Sequence, residues 1–150
     1  MSTERFVYVT YIRTTPEALW AALTEPEFTR RYWSGYWPDT SWEVGSPWRL
    51  TGPEGKVADL GEVLEFDPPR RLAVSWLHQL REELKAEGAS RASFDLEPHG
   101  DMVKLTVIHE IDKTGSKLIA AVSTGWPMIL SSLKSLLETG GSMSEPVVGR

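Results

Sequence analysis

The residues with the widest chemical scope in this chain are rings. Phe28, Tyr32, Trp33, Tyr36, Trp37, Trp42 and Trp48 crowd one short, irregular stretch of the 150 residues. Large rings outside regular elements suit a cavity wall or a partner surface, although a single ring is most often a core residue. Among the 3 His, His109 alternates with Val103, Leu105 and Val107, so one strand face carries all four into an apolar interior. An imidazole there can orient a carbonyl or hydroxyl, or act as a general base. The ordinary alternative is a core histidine satisfied by its neighbours. His78, at a strand end, and His99, in a turn, are expected to be solvated. Glu62 and Glu65 fall on opposite faces of a regular strand, so one of them is placed to face inward beside His109 as an acid–base pair. An ion pair with Arg49, Arg70 or Arg71 is the plainer alternative.

Several chemistries are missing. The chain has no Cys, which removes thiol nucleophiles, disulfides and thiolate-held metals. The three histidines share no metal-ligand spacing, so no metal site is expected. No G-x-S-x-G, phosphate-binding loop or dinucleotide fingerprint occurs. Ser131, Ser132 and Ser135 have no activating base beside them in the sequence. No catalytic residue and no cofactor is therefore assigned, and binding is expected rather than catalysis. The formal net charge is −5, which argues against nucleic acid or an anionic membrane as partner. Residues 1–13 carry Glu4, Arg5 and Arg13 and lack the apolar core of a secretion signal, and no stretch approaches about 18 apolar residues. A cytoplasmic location is the expectation.

The elements that must position these groups read as follows. Phe6 to Arg13 is a strand. Thr15-Pro16-Glu17 starts a short helix with a cap, a first-turn proline and an acid at its positive end. A second short helix begins near Pro26. Hairpin signals then repeat, at Gly52 to Gly55, at Asp67-Pro68-Pro69 and at Pro98 to Asp101. Val57 to Phe66 is a long strand with a bulge expected at Gly61. Gln79 to Glu87 reads as an exposed loop with one or two helical turns. Leu118, Val122, Trp126, Ile129, Leu130, Leu133, Leu136 and Leu137 form a wide helical stripe. Gly125 and Pro127 predict a kink there, or a helix start near Trp126, and Gly140 predicts the stop. Residues 1–140 are expected to form one domain, with 141–150 a flexible tail. The class is α+β: two short helices after the first strand, then a curved antiparallel sheet of about six or seven strands around a long C-terminal helix.

Three blocks in register carry a family resemblance. They are Thr15-Pro16-Glu17-Ala18-Leu19-Trp20-Ala21-Ala22-Leu23-Thr24, Gly61-Glu62-Val63-Leu64-Glu65-Phe66-Asp67-Pro68-Pro69-Arg70-Arg71-Leu72, and Gly125-Trp126-Pro127-Met128-Ile129-Leu130 with Leu133-Lys134 and Leu137-Glu138-Thr139-Gly140. Together they resemble the START-like, helix-grip (SRPBCC) superfamily. Within it they resemble the branch named after the C-terminal domain of the activator of heat-shock protein 90 ATPase. One departure is Gly45-Ser46, where the family often has a Gly-Gly pair. The resemblance implies a cavity between the sheet and the last helix. Its expected lining is Trp33, Trp37, Trp48, Val63, Trp76, Phe94, Trp126, Ile129, Leu130 and Leu133, with His109 as the polar anchor. The implied function is binding of a small hydrophobic molecule, lipid-like, aromatic or polyketide. A co-chaperone role with a stress-response partner is the second reading, and a small cyclase or hydrolase using His109 is the third. The expected state is a monomer or a homodimer.

Overall fold

The computed structural model describes residues 3–143. One seven-stranded sheet holds β1 (Glu4–Ile12), β2 (Trp37–Asp39), β3 (Pro47–Thr51), β4 (Val57–Asp67), β5 (Arg71–His78), β6 (Ser90–His99) and β7 (Met102–Ile111). Its order is β1-β7-β6-β5-β4-β3-β2. Every pairing is antiparallel. The strands from β2 to β7 form a meander, with a short helix in the connection from β5 to β6, and β1 lies beside β7. This is the curved α+β helix-grip architecture that the sequence predicts.

Four helices complete the fold: α1 (Pro16–Thr24), α2 (Pro26–Tyr32), α3 (Glu82–Lys85) and α4 (Lys117–Thr139). Thr15 caps α1 by accepting from the Ala18 N–H at 3.1 Å, and Pro16 fills the first helical position, whose N–H needs no partner. The α1 and α2 helices wedge against the sheet through Leu19, Leu23 and Tyr32, whose hydroxyl donates to the Ala22 carbonyl at 2.9 Å.

Helix α4 corrects the alternative of a helix start near Trp126. It is one element of 23 residues, and it starts at Lys117. Its N-terminus explains why it starts so early. Ser116 accepts from the Ile119 N–H at 3.1 Å, and the Glu87 carboxylate accepts from the N–H groups of Lys117 and Leu118 at 2.7 and 3.2 Å. Three of the orphan donors of the first turn are thus satisfied, and the acid sits at the positive end of the dipole. Pro127 lies inside the helix, where the packing of the apolar stripe outweighs its missing N–H. The Gln79 to Glu87 segment is also more than an exposed loop. Leu84 is buried with Ile111, Leu118 and Ile119, and Glu87 supplies the cap just described. Gly140 ends α4 with φ 85°. Residues 144–150, most of the expected tail, lie outside the described residues.

The bulge expected at Gly61 lies elsewhere. Register shifts fall between Leu50 and Thr51 and between Val63 and Glu65. Gly61 serves a close approach instead: a Cβ on it would stand 2.0 Å from the Ser75 carbonyl oxygen. Trp48, paired opposite Gly61 on β3, sends its indole N–H past this glycine to the same Ser75 oxygen on β5, at 2.7 Å. The Ser75 hydroxyl in turn accepts from the Glu62 N–H at 2.8 Å. Gly61→Ala should cost about 1–3 kcal/mol by forcing this crossing apart. Urea denaturation checks it, and an unchanged midpoint would mean that the strands have slack to give.

Candidate functional site

Hydrogen bonds from indole rings organise the interior. Trp126 on α4 donates from Nε1 to His109 Nδ1 at 3.0 Å. That fixes the tautomer, so His109 Nε2 bears the proton and faces the Ser90 hydroxyl at 2.7 Å. Ser90 passes its own proton on to the Trp76 carbonyl at 3.0 Å. His109 is fully buried on the inward face of β7, as its alternation predicts. Burial pushes its pKa down to about 4, so the ring is neutral at ordinary pH. Both ring nitrogens are occupied by protein groups, which leaves no free lone pair or N–H for a ligand or substrate.

Trp76 is the hub of the ring cluster. Its centroid lies 4.8 Å from Trp48, 5.5 Å from Trp126, 5.3 Å from His109 and 6.3 Å from Trp33. Its Nε1 donates to Asp59 Oδ1 at 2.7 Å. The same oxygen accepts from His78 Nδ1 at 3.0 Å, across the β4–β5 pair that sets the two residues opposite each other. Burial raises the Asp59 pKa, and the charge of His78 opposes that rise. His78 is therefore not solvated. Its ring packs inward because Asp59 offers an acceptor there, and its Nε2 is buried without a partner.

Beside this pair, between the sheet and α4, lies a cavity of about 210 Å³. Trp33, Trp76, Trp126 and Ile129 of the expected lining border it. Its other walls are Leu50, Leu84, Leu118, Ala121, Val122 and Gly125, and Asp59, His78 and Arg81 form the polar end. A smaller hollow of about 30 Å³ touches Trp33, Trp48, Trp76 and Phe94. Trp37, Val63, His109, Leu130 and Leu133 line neither space. Val63, Leu130 and Leu133 are packed in the core. Trp37 is half-buried under the Arg30 guanidinium, 4.9 Å from the ring centroid. The rest of the aromatic stretch is wedge rather than wall: Trp42 stacks on Phe66 at 5.6 Å and donates to the Thr24 carbonyl at 3.2 Å.

No inward glutamate exists beside His109. Glu62 is exposed. Glu65 is paired with Arg71 at 2.9 Å and with Arg91, and the Arg71 hydrogen bond leads the effects that hold its pKa low. The buried acid is Asp59, which the sequence reading passed over. A signal was present, since Asp59 sits between Ala58 and Leu60 in an otherwise apolar run. Gly125 lies within α4 without ending it. It stands on the α4 face that carries Leu118, Ala121, Val122 and Ile129, and a Cβ on it would meet nothing within 4 Å. Its missing side chain leaves room in the cavity. Among the described residues no cluster of three His, Asp or Glu could hold a metal ion, and no helix is long and apolar enough to cross a membrane.

Comparison with known proteins gives one family and many similar folds. The family model described as Activator of Hsp90 ATPase homolog 1-like protein matches residues 13–138. A protein from Mesorhizobium loti is 24% identical, with TM-score 0.76 over 90% of this chain and 97% of that one. The Aha1 dimer from Colwellia psychrerythraea is 22% identical, with TM-score 0.71 over 91% of this chain and 98% of that one. DynU16, from the dynemicin biosynthetic locus, is 18% identical, with TM-score 0.75 over 95% of this chain and 49% of its own. At these identities the likeness is one of fold. No curated protein matches the sequence.

The buried His109 makes stability depend on pH in a stated direction. Its folded pKa is about 4 against an ordinary 6.5, so below 6.5 the unfolded chain takes up a proton that the folded one refuses. Stability should fall by roughly 3 kcal/mol between pH 6.5 and 4 from this group alone. Denaturant titrations of the natural chain and of His109→Gln across that window isolate the effect, because every other group is common to both. Parallel profiles would refute it.

Proposed function

The chain belongs to the Activator of Hsp90 ATPase homolog 1-like family, and on that premise we propose that it binds a small hydrophobic molecule, in the cytoplasm, between the sheet and α4. The observation that carries this reading is the cavity itself. Its walls are apolar rings and aliphatic side chains, with a few convergent polar groups at one end, the usual make-up of a ligand site. A hollow of this kind lowers stability where its inner lining forfeits packing contacts. Residue 125 could fill it with any ordinary side chain, yet it is Gly, which also costs a helix roughly 1 kcal/mol relative to Ala.

Size narrows the ligand class. A cavity of about 150 Å³ is enough for benzene, so about 210 Å³ suits one ring system with few substituents. Of the three ligand classes, an aromatic compound fits best. A lipid or a polyketide would seat only one end here and leave the rest outside the mouth. The place of DynU16 in a biosynthetic locus is in keeping with a protein that handles small organic molecules.

A protein-partner role of the Hsp90-activator kind is the second reading. In its favour, Val7, Val9 and Tyr11 stand 48%, 44% and 40% exposed in a row on β1, an edge strand. Salt-sensitive binding to an Hsp90 that is weakened by Val9→Asp would support it, and absence of binding at low salt would remove it.

The cavity reading is tested with Gly125→Leu, which fills the hollow from α4. Native mass spectrometry of gently purified natural chain should reveal a small-molecule adduct released on denaturation, or one acquired from a mixture of small aromatics. The variant should remain folded, gain helix stability and carry no adduct. An adduct that persists in Gly125→Leu would place binding elsewhere. A natural chain that stays bare in the mixture would defeat the proposal.

A further inference from the structure

The polar end of the cavity holds an acceptor that the protein leaves unused. Asp59 Oδ1 accepts twice, from Trp76 and from His78 Nδ1, while Oδ2 has no partner among the described residues. Because a carboxylate oxygen accepts from His78 Nδ1, that nitrogen bears the proton and Nε2 of the neutral ring presents a lone pair. Nε2 is buried without any hydrogen bond and closed off from the cavity, so His78 serves to hold Asp59. The Asp59 side chain is 8% exposed, so bulk water gives it little relief. Buried polar groups in native proteins almost always have partners. An unmet carboxylate oxygen, in the wall of a cavity otherwise lined by indole rings and aliphatic side chains, is an arrangement that a ligand's donor would complete.

Resting on the cavity reading above, we propose that the site selects an aromatic ligand bearing a hydroxyl group. The ring lies among Trp33, Trp76 and Trp126, and the hydroxyl donates to Asp59 Oδ2, whose other oxygen is held by Trp76 and His78. A carboxylate ligand fits less well. It brings no proton to donate, and it would place a negative charge beside Asp59. Arg81 also borders the cavity, but its side chain is 58% exposed and its Nε lies 3.5 Å from Glu83, so it is engaged at the mouth rather than aimed at an anion inside.

The test compares naphthalene, 2-naphthol and 2-naphthoate, which share a ring system and differ in the polar group. Binding is followed by calorimetry, and by the indole N–H resonances of Trp33, Trp76 and Trp126. In the natural chain 2-naphthol should bind at least about ten-fold more tightly than naphthalene, the effect of one buried hydrogen bond gained, and 2-naphthoate should bind most weakly. Asp59→Asn keeps the shape and an acceptor for Trp76, and it should reduce the preference for 2-naphthol while leaving naphthalene unchanged. Should that variant fail to fold, Asp59→Glu keeps the charge but moves the carboxylate, and it too should reduce the preference. Equal affinities for naphthalene and 2-naphthol, or a preference for 2-naphthoate, would overturn this inference and leave the cavity reading standing. Failure of all three to bind would overturn both.

Discussion

The hydrogen-bonded chain from Trp126 through His109 and Ser90 to the Trp76 carbonyl is the constraint on which the interior depends. It runs from α4 across β7 and β6 to β5. Burying four polar groups in an apolar interior is costly unless each finds a partner. Here each does, and the direction of every bond is fixed by the tautomer that Trp126 imposes. The helix is thereby held at one rotation about its axis. That rotation sets which α4 face, with Leu118, Val122, Gly125 and Ile129, looks toward the sheet.

A tryptophan-rich core also explains why space remains. Indoles are large, flat and obliged to place an N–H, so they pack under more restraint than leucines. Trp48 must reach Ser75, Trp76 must reach Asp59 and Trp126 must reach His109. Three rings held by three separate acceptors cannot also slide together to close a gap. Gly61 yields the space one of them needs to cross a strand, and Gly125 leaves open the space that the rings do not occupy. The cavity is thus a by-product of polar satisfaction that α4 does nothing to fill.

Much of this was legible in the sequence wherever local pattern decides. Alternation in 103–109 gave the buried face of β7 and the inward His109, and the Thr15-Pro16 start gave α1. What stayed hidden depends on pairing across strands. Asp59 and His78 are opposite each other only because β4 and β5 share a register, and nothing local in either strand announces it. The unity of α4 was hidden for a related reason. Its cap comes from Glu87, some thirty residues earlier, so the proline and glycine looked decisive when read alone. Leu130 and Leu133 were assigned to the cavity because helical period cannot tell a face against packed strands from a face against space.

The two inward histidines make the same point about sites in general. Both lie on inner strands, and each has an indole-linked partner. His109 has both nitrogens engaged, Nδ1 with Trp126 and Nε2 with Ser90, and is spent entirely on holding helix to sheet. His78 has one nitrogen engaged and one idle. Residue type does not separate them, and burial alone would favour His109 as the anchor for a ligand. The number of partners does separate them, because a buried group that is already satisfied can only lose bonds when a ligand arrives. The Asp59 oxygen that lacks a partner can gain one, so the capacity for recognition lies at the Asp59 end of the cavity and not at His109, which does not border it.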